Sequence, residues 1–415
     1  FLIAFPFGMI FPLALKMLLS GKSKISGYVG LGYTVNTLGA MLGALVTGLV
    51  LIPILGAQKS IYLVSFVNIA IFCLLFIYNP LLKTGKLIVI LTVITVFFII
   101  QMFIPGDYFE KTLASKIKEE IVFFKEGIDG TVIVSKTEDD IYLLWINGLI
   151  TAFPCEYMRY RAHIPVLLSA DPKDALVVGF GSGVTLGVMA EFYGIKTDCV
   201  EISKSVIEAG GFFSKYNHNA LNSNNVNIFI MDARNFVEFT KKKYDIIIVD
   251  SSQPALAYAS SLFSKEFYKI CHNILKEDGI MLQWMPSTKD TIDSKILVKT
   301  FINVFDNSYF FHGDNMIGTK KPLRVDLKAI DSKISQNEII MRELHSLNIN
   351  NGKDLLNFLI ADKDSLAKFA EDVPVITDDR PFIEFSVFRN GAANDHDSTI
   401  IYSPKDIIKM KSGLN

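Results

Sequence analysis

Hydrophobic residues are unevenly distributed along the chain, and their pattern changes near residue 105. Before that point there are four uncharged apolar stretches: Phe1–Leu15, Gly27–Gln58, Ser60–Leu82 and Leu87–Pro105. A spanning helix needs about 20 apolar residues, so the last three stretches predict membrane helices and the first predicts a truncated one. Core helices of globular domains are rarely uncharged over such lengths, which disfavours a soluble interpretation.

Beyond residue 105 the apolar runs become short and alternate with turn residues. Gly130–Val134 and Ile141–Ile146 flank a polar turn and predict a β-hairpin. Buried-strand patterns with helical patterns between them then recur at Ala175–Val178, a strand ending in Glu201, Val226–Met231, Tyr244–Asp250 and Gly279–Met285. Strands alternating with helices predict a parallel sheet covered on both faces.

We therefore predict an α-helical transmembrane segment followed by an α/β domain. Its sheet is expected to be doubly wound and Rossmann-like, of the S-adenosylmethionine-dependent methyltransferase type, with a small β-hairpin lead-in. Because the chain begins with Phe1 inside an apolar run, we expect it to be truncated at its N-terminus. The predicted boundaries are 1–105 for the membrane helices, 106–165 for the linker and small β region, 166–330 for the nucleoside-binding catalytic domain and 331–415 for a helical cover and tail.

Charge and cysteine content narrow the possible partners. The formal net charge is −1 over 415 residues, which gives no indication of a nucleic-acid partner. Four cysteines, Cys73, Cys155, Cys199 and Cys271, are scattered without paired spacing. They predict buried thiols and neither a metal site nor a disulfide framework.

The central motif is Gly179-Phe-Gly-Ser-Gly183, directly after a predicted strand. Glycines allow a tight turn and a close approach of the backbone to a ligand, so Gly179, Gly181, Ser182 and Gly183 are candidate cofactor-binding residues. The spacing differs from Gly-x-Gly-x-x-Gly, which argues against a dinucleotide.

Acidic residues follow three successive predicted strands: Glu201, Asp232 and Asp250. An acid about 20 residues after the glycine turn is placed to accept both ribose hydroxyls, and Asp232 is placed to meet an adenine edge. Such acids are also common as plain turn residues. Three of them at neighbouring strand ends favour a nucleoside site.

Together with these residues, several motifs resemble the spermidine synthase-like aminopropyltransferases, in the form fused behind a transporter-type membrane segment. The similar segments are Tyr33–Ala40, Pro53–Gly56, Tyr157–Pro165, Val200–Ile207, Asp250–Pro254, Ser261–Tyr268 and Thr377–Pro381 with Glu384. The resemblance implies decarboxylated S-adenosylmethionine as co-substrate and a putrescine-like amine as acceptor, with methylthioadenosine released and no metal required.

The resemblance also implies roles for individual residues. Glu201 would bind the ribose, Asp232 and Ala233 the adenine, and Tyr157 the amine, and Asp250 would take a proton from the attacking amine. Two positions depart from the family pattern: Ser182 stands for an aspartate in the glycine loop, and Gln253, a candidate substrate residue, for a second aspartate after Asp250.

These departures keep two alternatives open, namely another S-adenosylmethionine-dependent reaction such as methyl transfer, and a membrane binding protein that has lost its chemistry. We expect an integral protein of the inner or plasma membrane, in contact with lipid. Its soluble part is expected in the cytoplasm, where the donor is made, and a homo-oligomer is left open.

Four further residues receive structural predictions. His163, just before Pro165, is expected to cap a helix end, and Trp284 to lie in the core. For Asp378 and Asp379 an N-cap and surface role is as probable as a role in the site.

Overall fold

The computed structural model describes residues 11–12, 15–16, 19, 25–78, 86–105, 108–115, 117–251, 253–254, 259–286, 291–335 and 337–384. The first predicted span, Phe1–Leu15, lies largely outside these residues, as do Ser252 and the tail beyond Glu384. The chain divides into two compact units, Phe1–Lys116 with Glu126–Ile128, and Ile117–Lys125 with Asp129–Asn415.

The first unit is helical where it is described. Its helices are α1 (Ile25–Val46, continued by a π-helical turn Thr47–Leu51 and by Ile52–Leu55), α2 (Ala57–Tyr78), α3 (Lys86–Phe103) and α4 (Tyr108–Ala114). Gly56, with φ +80°, separates the first two helices. Ser26–Leu55 and Ala57–Leu74 are long and apolar enough to cross a membrane, and Ile88–Ile99 is a shorter apolar stretch.

The second unit begins with a small antiparallel sheet in the order β1-β2-β3-β4. Its strands are β1 (Glu120–Gly127), β2 (Gly130–Lys136), β3 (Tyr142–Ile146) and β4 (Leu149–Ala152). The predicted hairpin is present as β2 and β3, and the sequence did not predict the two outer strands. Asn147 and Gly148 both have positive φ, as a two-residue turn between antiparallel strands requires, and this turn creates β4.

A larger sheet of eight strands forms the centre of this unit, in the order β12-β10-β11-β9-β8-β5-β6-β7. The five strands from β9 to β7 are parallel, and β11, β10 and β12 extend the sheet in antiparallel fashion. The strands are β5 (Asp174–Val178), β6 (Lys196–Glu201), β7 (Val226–Ile230), β8 (Tyr244–Val249), β9 (Leu275–Trp284), β10 (Asn307–Phe311), β11 (Asn315–Thr319) and β12 (Leu359–Asp362).

Helices cover both faces of the sheet, so the doubly wound prediction is confirmed. They are α5 (Glu156–Leu168), α6 (Val184–Ala190), α7 (Lys204–Ala209), α8 (Ala233–Phe239), α9 (Lys265–Ile274), α10 (Thr291–Ile302), α11 (Leu327–Ser335), α12 (Glu338–Ser346), α13 (Gly352–Leu356) and α14 (Lys363–Phe369). Alternate residues of β8 enter two separate cores: Ile246 and Ile248 pack with α5 and α6, and Ile247 and Val249 pack with α9 and α10. This alternation follows from the two-residue period of a strand.

Two details differ from the sequence expectation. The region 331–415 was expected to be a helical cover and tail, but it contains β12, which pairs with β10 at the edge of the sheet. Helix α5 was expected to end near His163, yet it continues past Pro165 to Leu168. Strands β10 and β11 form an antiparallel pair in which Phe310 is opposite Met316.

The strand order reverses at β5, whose neighbours are β6 on one side and β8 on the other. Connections therefore leave the carboxyl ends of β5 and β8 in opposite directions, which opens a crevice at that edge. Ligands of open α/β sheets bind at such a switch point. The glycine turn after β5 and Asp250 after β8 lie at this edge.

Gly187 in α6 tests how tightly the helix packs beside the crevice. A Cβ at this position would lie 2.3 Å from the carbonyl oxygen of Asn217. Gly187→Ala should therefore lower the free energy of unfolding by about 2 kcal/mol, although alanine is the better helix former. Unfolding of the full chain can be followed by tryptophan fluorescence, because Trp145 and Trp284 both lie in the second unit.

Gly194→Ala is the matched control, because a Cβ there would meet no atom within 4 Å. We expect that change to stay within about 0.5 kcal/mol of the unsubstituted chain. Equal stability of the two variants would contradict the close contact between α6 and Asn217.

Candidate active site

The turn after β5 adopts a backbone that strongly favours glycine. Gly179, Gly181 and Gly183 have φ values of +91°, +54° and +78°. At Gly179 a Cβ would lie 2.4 Å from the carbonyl oxygen of Asp250, so a side chain would force the ends of β5 and β8 apart. Gly179 therefore serves the close packing of the two strand ends as well as any approach to a ligand.

Glu201 at the end of β6 holds the same turn from the other side. Its Oε2 accepts a hydrogen bond of 2.9 Å from the Phe180 N–H, and its Oε1 accepts one of 2.9 Å from the Ser203 N–H. Burial raises the pKa of Glu201, and these backbone donors partly offset that effect. Each carboxylate oxygen retains a second lone pair, so the side chain can still accept ribose hydroxyls.

Asp232 is the N-cap of α8, where its Oδ1 accepts a hydrogen bond of 2.8 Å from the Asn235 N–H. Part of its role is therefore the structural one that a turn acid has. The following residue, Ala233, packs against the apolar core on that face. The carboxylate keeps further acceptor capacity for a ligand at the end of β7.

Asp250 forms a buried network that the sequence did not predict. Its Oδ1 makes an ion pair with the Arg161 guanidinium, and its Oδ2 lies 2.6 Å from the Thr185 hydroxyl. The side chains of Arg161 and Asp250 are 5% and 16% exposed. The carboxylate is thus held between α5 and the start of α6.

Trp284 lies beside this pair, which corrects its prediction as a plain core residue. It is only partly buried, and the Arg161 guanidinium carbon is 5.1 Å from its ring centroid. The alternation that sends Ile280 and Leu282 of β9 toward α5 also sends Trp284 to that face. A cation over an indole face is an attractive contact, so Trp284 is a platform for Arg161.

Two of the remaining candidates, Tyr157 and Ser182, lie near the start of α5. Tyr157 is 40% exposed and stacks on His312 with ring centroids 6.0 Å apart. Ser182 is buried, its hydroxyl donates to the Met158 sulfur at 3.7 Å, and its carbonyl accepts from the Asn217 amide. Gln253 is partly exposed, three residues after Asp250.

A second polar cluster lies on the opposite side of α5, around Glu343 of α12. Glu343 Oε2 is 3.1 Å from His163 Nε2, and its Oε1 is 2.7 Å from His218 Nε2 and 3.6 Å from Arg159 Nε. His163 is fully buried, so the prediction that it caps a helix is wrong. Pro165 is accommodated inside the helix, and the imidazole instead bridges α5 to α12.

This cluster continues to the glycine turn. His218 follows Asn217, whose side-chain amide donates to the carbonyls of Ser182 at 3.1 Å and Gly210 at 3.0 Å. Glu343 thereby helps to fix the loop that supports Ser182. A cavity of about 350 Å³ opens beside the cluster, lined by Arg159, His218, Ile339, Arg342 and Glu343.

The segment containing Asp378 is bound to α8 and to the segment that contains Ser260. The Asp378 carboxylate makes a two-pronged ion pair with Arg234 of α8, and Glu384 accepts a hydrogen bond of 2.8 Å from the Ser260 hydroxyl. One predicted role of Asp378 was to cap a helix, and this is wrong, because its carboxylate is paired with Arg234 instead. The pair ties this segment to the helix that Asp232 begins.

The structure thus brings the glycine turn, Glu201 and Asp250 together at the switch point, with Tyr157 and Ser182 connected to them through α5. Arg161 and Thr185 were missed because nothing in their local sequence marks them. Among the described residues, no group of three His, Cys, Asp or Glu side chains could hold a metal ion.

These features define a doubly wound α/β domain with a polar crevice at its topological switch point. Residues 155–303 match the family model described as the spermine/spermidine synthase domain. That region contains all the candidate site residues named above, from Tyr157 to Gln253.

Several proteins with similar sequences are named polyamine aminopropyltransferases. The polyamine aminopropyltransferase of Methanocaldococcus jannaschii is 30% identical over 192 residues, covering 45% of this chain and 65% of that protein. That of Clostridium perfringens strain SM101 is 31% identical over 183 residues, covering 44% and 58%. The chain therefore spans less than two thirds of the length of these relatives.

Two solved structures that are described as spermidine synthases are similar to the chain at lower identity. Spermidine synthase from Thermotoga maritima is 20% identical, with a TM-score of 0.43, over 55% of this chain and 88% of that one. A probable spermidine synthase from Corynebacterium glutamicum is 18% identical, with a TM-score of 0.45, over 62% and 96%.

The Glu343 cluster generates a pH prediction. Burial opposes ionisation of Glu343, but the hydrogen bonds from His163 and His218 outweigh it and lower its pKa from 4.5 to about 2. This stabilisation is present above pH 4.5 and is lost as the pH falls toward 2. The hydrogen bond to Glu343 raises the pKa of His218 from 6.5, so its contribution is complete below 6.5 and is lost as the pH rises through the raised value.

Glu343→Gln should therefore destabilise the chain most between about pH 4.5 and 6.5, by on the order of 2 kcal/mol, and less on either side. Burial lowers the pKa of His163. Protonation of this buried imidazole at low pH therefore destabilises the unsubstituted chain and the Glu343→Gln variant alike. Denaturant unfolding across this range is the measurement. Glu338→Gln is the control, because it removes an exposed ion pair with Arg342 in the same helix. If Glu343→Gln lowered the free energy of unfolding by the same amount at every pH, the ionised state assigned to Glu343 would be contradicted.

Proposed function

We propose that this chain transfers an aminopropyl group from decarboxylated S-adenosylmethionine to an amine and releases methylthioadenosine. The observation that carries the proposal is the position of Asp250 at the switch point. Its backbone carbonyl lies against Gly179, its carboxylate contacts Thr185 at the start of α6, and it lies within the region that matches the spermine/spermidine synthase domain. The name of the relatives, polyamine aminopropyltransferase, supports the same activity.

The nucleoside of the donor would occupy the crevice between the ends of β5, β6 and β7. Glu201 would accept the ribose hydroxyls with its remaining lone pairs, and Asp232 with Ala233 would meet the adenine. Gly179, Gly181 and Gly183, with Ser182 between them, would let the backbone approach the donor closely. The buried hydrogen bonds that Glu201 accepts from the Phe180 and Ser203 N–H groups support this, because they fix the acid in place before the ligand arrives.

The reaction needs a base and alignment more than it needs a further cofactor. The amine nitrogen forms a bond to the propyl carbon next to the sulfonium, the carbon–sulfur bond breaks, and its electron pair stays on sulfur. An ammonium has no free lone pair, so a proton must leave the amine, and Asp250 would accept it. Tyr157 and Gln253 would contact the acceptor, and in-line placement of the two substrates would supply much of the rate.

The assay uses the full chain in detergent or membranes, with decarboxylated or ordinary S-adenosylmethionine and a panel of amines that includes putrescine. We expect methylthioadenosine from the decarboxylated donor and a loss of at least about 100-fold in kcat for Asp250→Asn, since general-base catalysis contributes this order. S-adenosylhomocysteine from the ordinary donor would instead identify a methyltransferase. Binding without either product would indicate a binding protein.

Glu201→Gln separates binding from chemistry in the same assay. Removing the charge of the proposed ribose ligand should weaken methylthioadenosine binding by about 1–3 kcal/mol in calorimetry. Asp250→Asn should bind methylthioadenosine nearly as well as the unsubstituted chain. If both variants lost turnover but bound methylthioadenosine equally well, the roles assigned to Glu201 and Asp250 would be contradicted.

We also propose that the first unit anchors the chain in the inner or plasma membrane and that the second unit faces the cytoplasm. The support is the two helices that satisfy the length and hydropathy needed to cross a bilayer, together with their exposed apolar side chains, such as Leu38, Leu42 and Phe66. These surfaces would be unfavourable in water and favourable in lipid. Helix α3 would form a third crossing.

Reporter fusions at three positions test this arrangement. If α1, α2 and α3 all cross, reporters placed after Gly56 and after Pro105 should both be cytoplasmic, and one placed after Leu82 should be external. If α3 does not cross, the Pro105 fusion should be on the same side as Leu82. An external Pro105 fusion would also contradict the proposed activity, because the donor is cytoplasmic.

A further inference from the structure

The acceptor side of the crevice contains a buried cation. The Arg161 side chain is 5% exposed and makes an ion pair with Asp250, which is the candidate base. Its guanidinium lies over the Trp284 ring, so the position is fixed from two sides. The negative charge that would attract a cationic amine is therefore largely balanced before any acceptor enters.

Two hydrogen-bond donors of these residues remain unsatisfied. Arg161 Nε and Trp284 Nε1 are both buried and have no hydrogen-bond partner among the described residues. A buried donor without a partner costs about 1–3 kcal/mol, so an incoming acceptor atom is favoured there. Both groups are N–H donors, and a carboxylate presents two oxygens able to accept from both.

The strand pattern places these groups on one face. Asp250 follows Ile248 of β8, and Trp284 follows Leu282 of β9, in the alternation that points toward α5. Tyr157 and Arg161 are four residues apart on α5, so they share a face of that helix. Asn315 is opposite Trp284 in the register of β9 and β11, and its Oδ1 is buried without a hydrogen-bond partner among the described residues.

A simple diamine fits this environment poorly. It brings two ammonium groups, and the second would stand near Arg161 with Gln253 as a neutral neighbour. Asp314, in the turn before β11, already has an interaction of its own. An amine that carries a carboxylate brings its own countercharge and satisfies the two free donors.

We propose that the acceptor is an amine bearing a carboxylate, with Arg161 as the residue that determines this specificity. The inference rests on the proposed aminopropyl transfer and names its acceptor class. The amine nitrogen displaces methylthioadenosine from the propyl carbon and gives its proton to Asp250. The acceptor's carboxylate accepts hydrogen bonds from Arg161 Nε and Trp284 Nε1 and takes no part in bond formation.

The experiment compares acceptors matched in length. Diamines of three, four and five carbons are paired with 3-aminopropanoate, 4-aminobutanoate and 5-aminopentanoate, and methylthioadenosine release from decarboxylated S-adenosylmethionine is measured with the full chain. We expect at least a tenfold higher kcat/KM for the amino acid of the best pair. Arg161→Met should reduce that ratio at least tenfold, chiefly through the KM of the amino acid.

Trp284→Phe provides a second variant in case Arg161→Met fails to fold. It removes one donor and keeps an aromatic ring under Arg161, so it should lower the ratio of amino-acid to diamine kcat/KM about tenfold. A diamine preference in the unsubstituted chain, or a ratio unaffected by both variants, would overturn the proposal.

A binding measurement distinguishes this proposal from the proposed function. If no acceptor releases methylthioadenosine, aminopropyl transfer fails, and acceptor binding is then measured by calorimetry on the protein saturated with methylthioadenosine. Amino-acid binding that falls at least tenfold in Arg161→Met would uphold the carboxylate site. Absent binding, or equal binding in both proteins, would remove it.

Discussion

The close approach of Gly179 to the carbonyl of Asp250 is the contact on which the crevice depends. It joins the ends of the two central strands at the point where the connections diverge. Any side chain at Gly179 would separate β5 from β8 and move Asp250 away from the turn. The turn is then held by Glu201 through the Phe180 N–H and by Asn217 through the Ser182 carbonyl. The polar groups of the turn are therefore already in position before a ligand binds, so the ligand does not have to order them.

Helix α5 links the two buried polar clusters of the domain. Arg161 on one side of it pairs with Asp250, while Arg159 and His163 on another side contact Glu343. Buried charges are tolerated only when they are paired, so each cluster constrains the rotation and depth of the helix. The site therefore depends on the C-terminal helix α12 through α5, although α12 contributes no group to the crevice in the described structure.

Local patterns predicted most of the fold and half of the site. Apolar runs gave the central strands, the glycine motif gave the turn, and acids at strand ends gave Glu201, Asp232 and Asp250, because each of these signals is contained in a few neighbouring residues. The partners of those groups could not be found this way. Arg161 is 89 residues from Asp250, and Glu343 is 180 residues from His163. The short edge strand β12 was missed because four residues carry too little periodicity to override the helical pattern around them.

The antiparallel extension of the sheet also affects how the domain can be divided. Strand β11 covers the edge of β9 along Ile280–Trp284, a stretch rich in apolar residues. A fragment cut to residues 155–303 would keep β9 and lose β10, β11 and β12. Its backbone N–H and C=O groups would then form an open, apolar strand edge, which is a template for pairing with other chains. Such a fragment would be prone to self-association, so the minimal soluble unit must extend at least through β12 at Asp362.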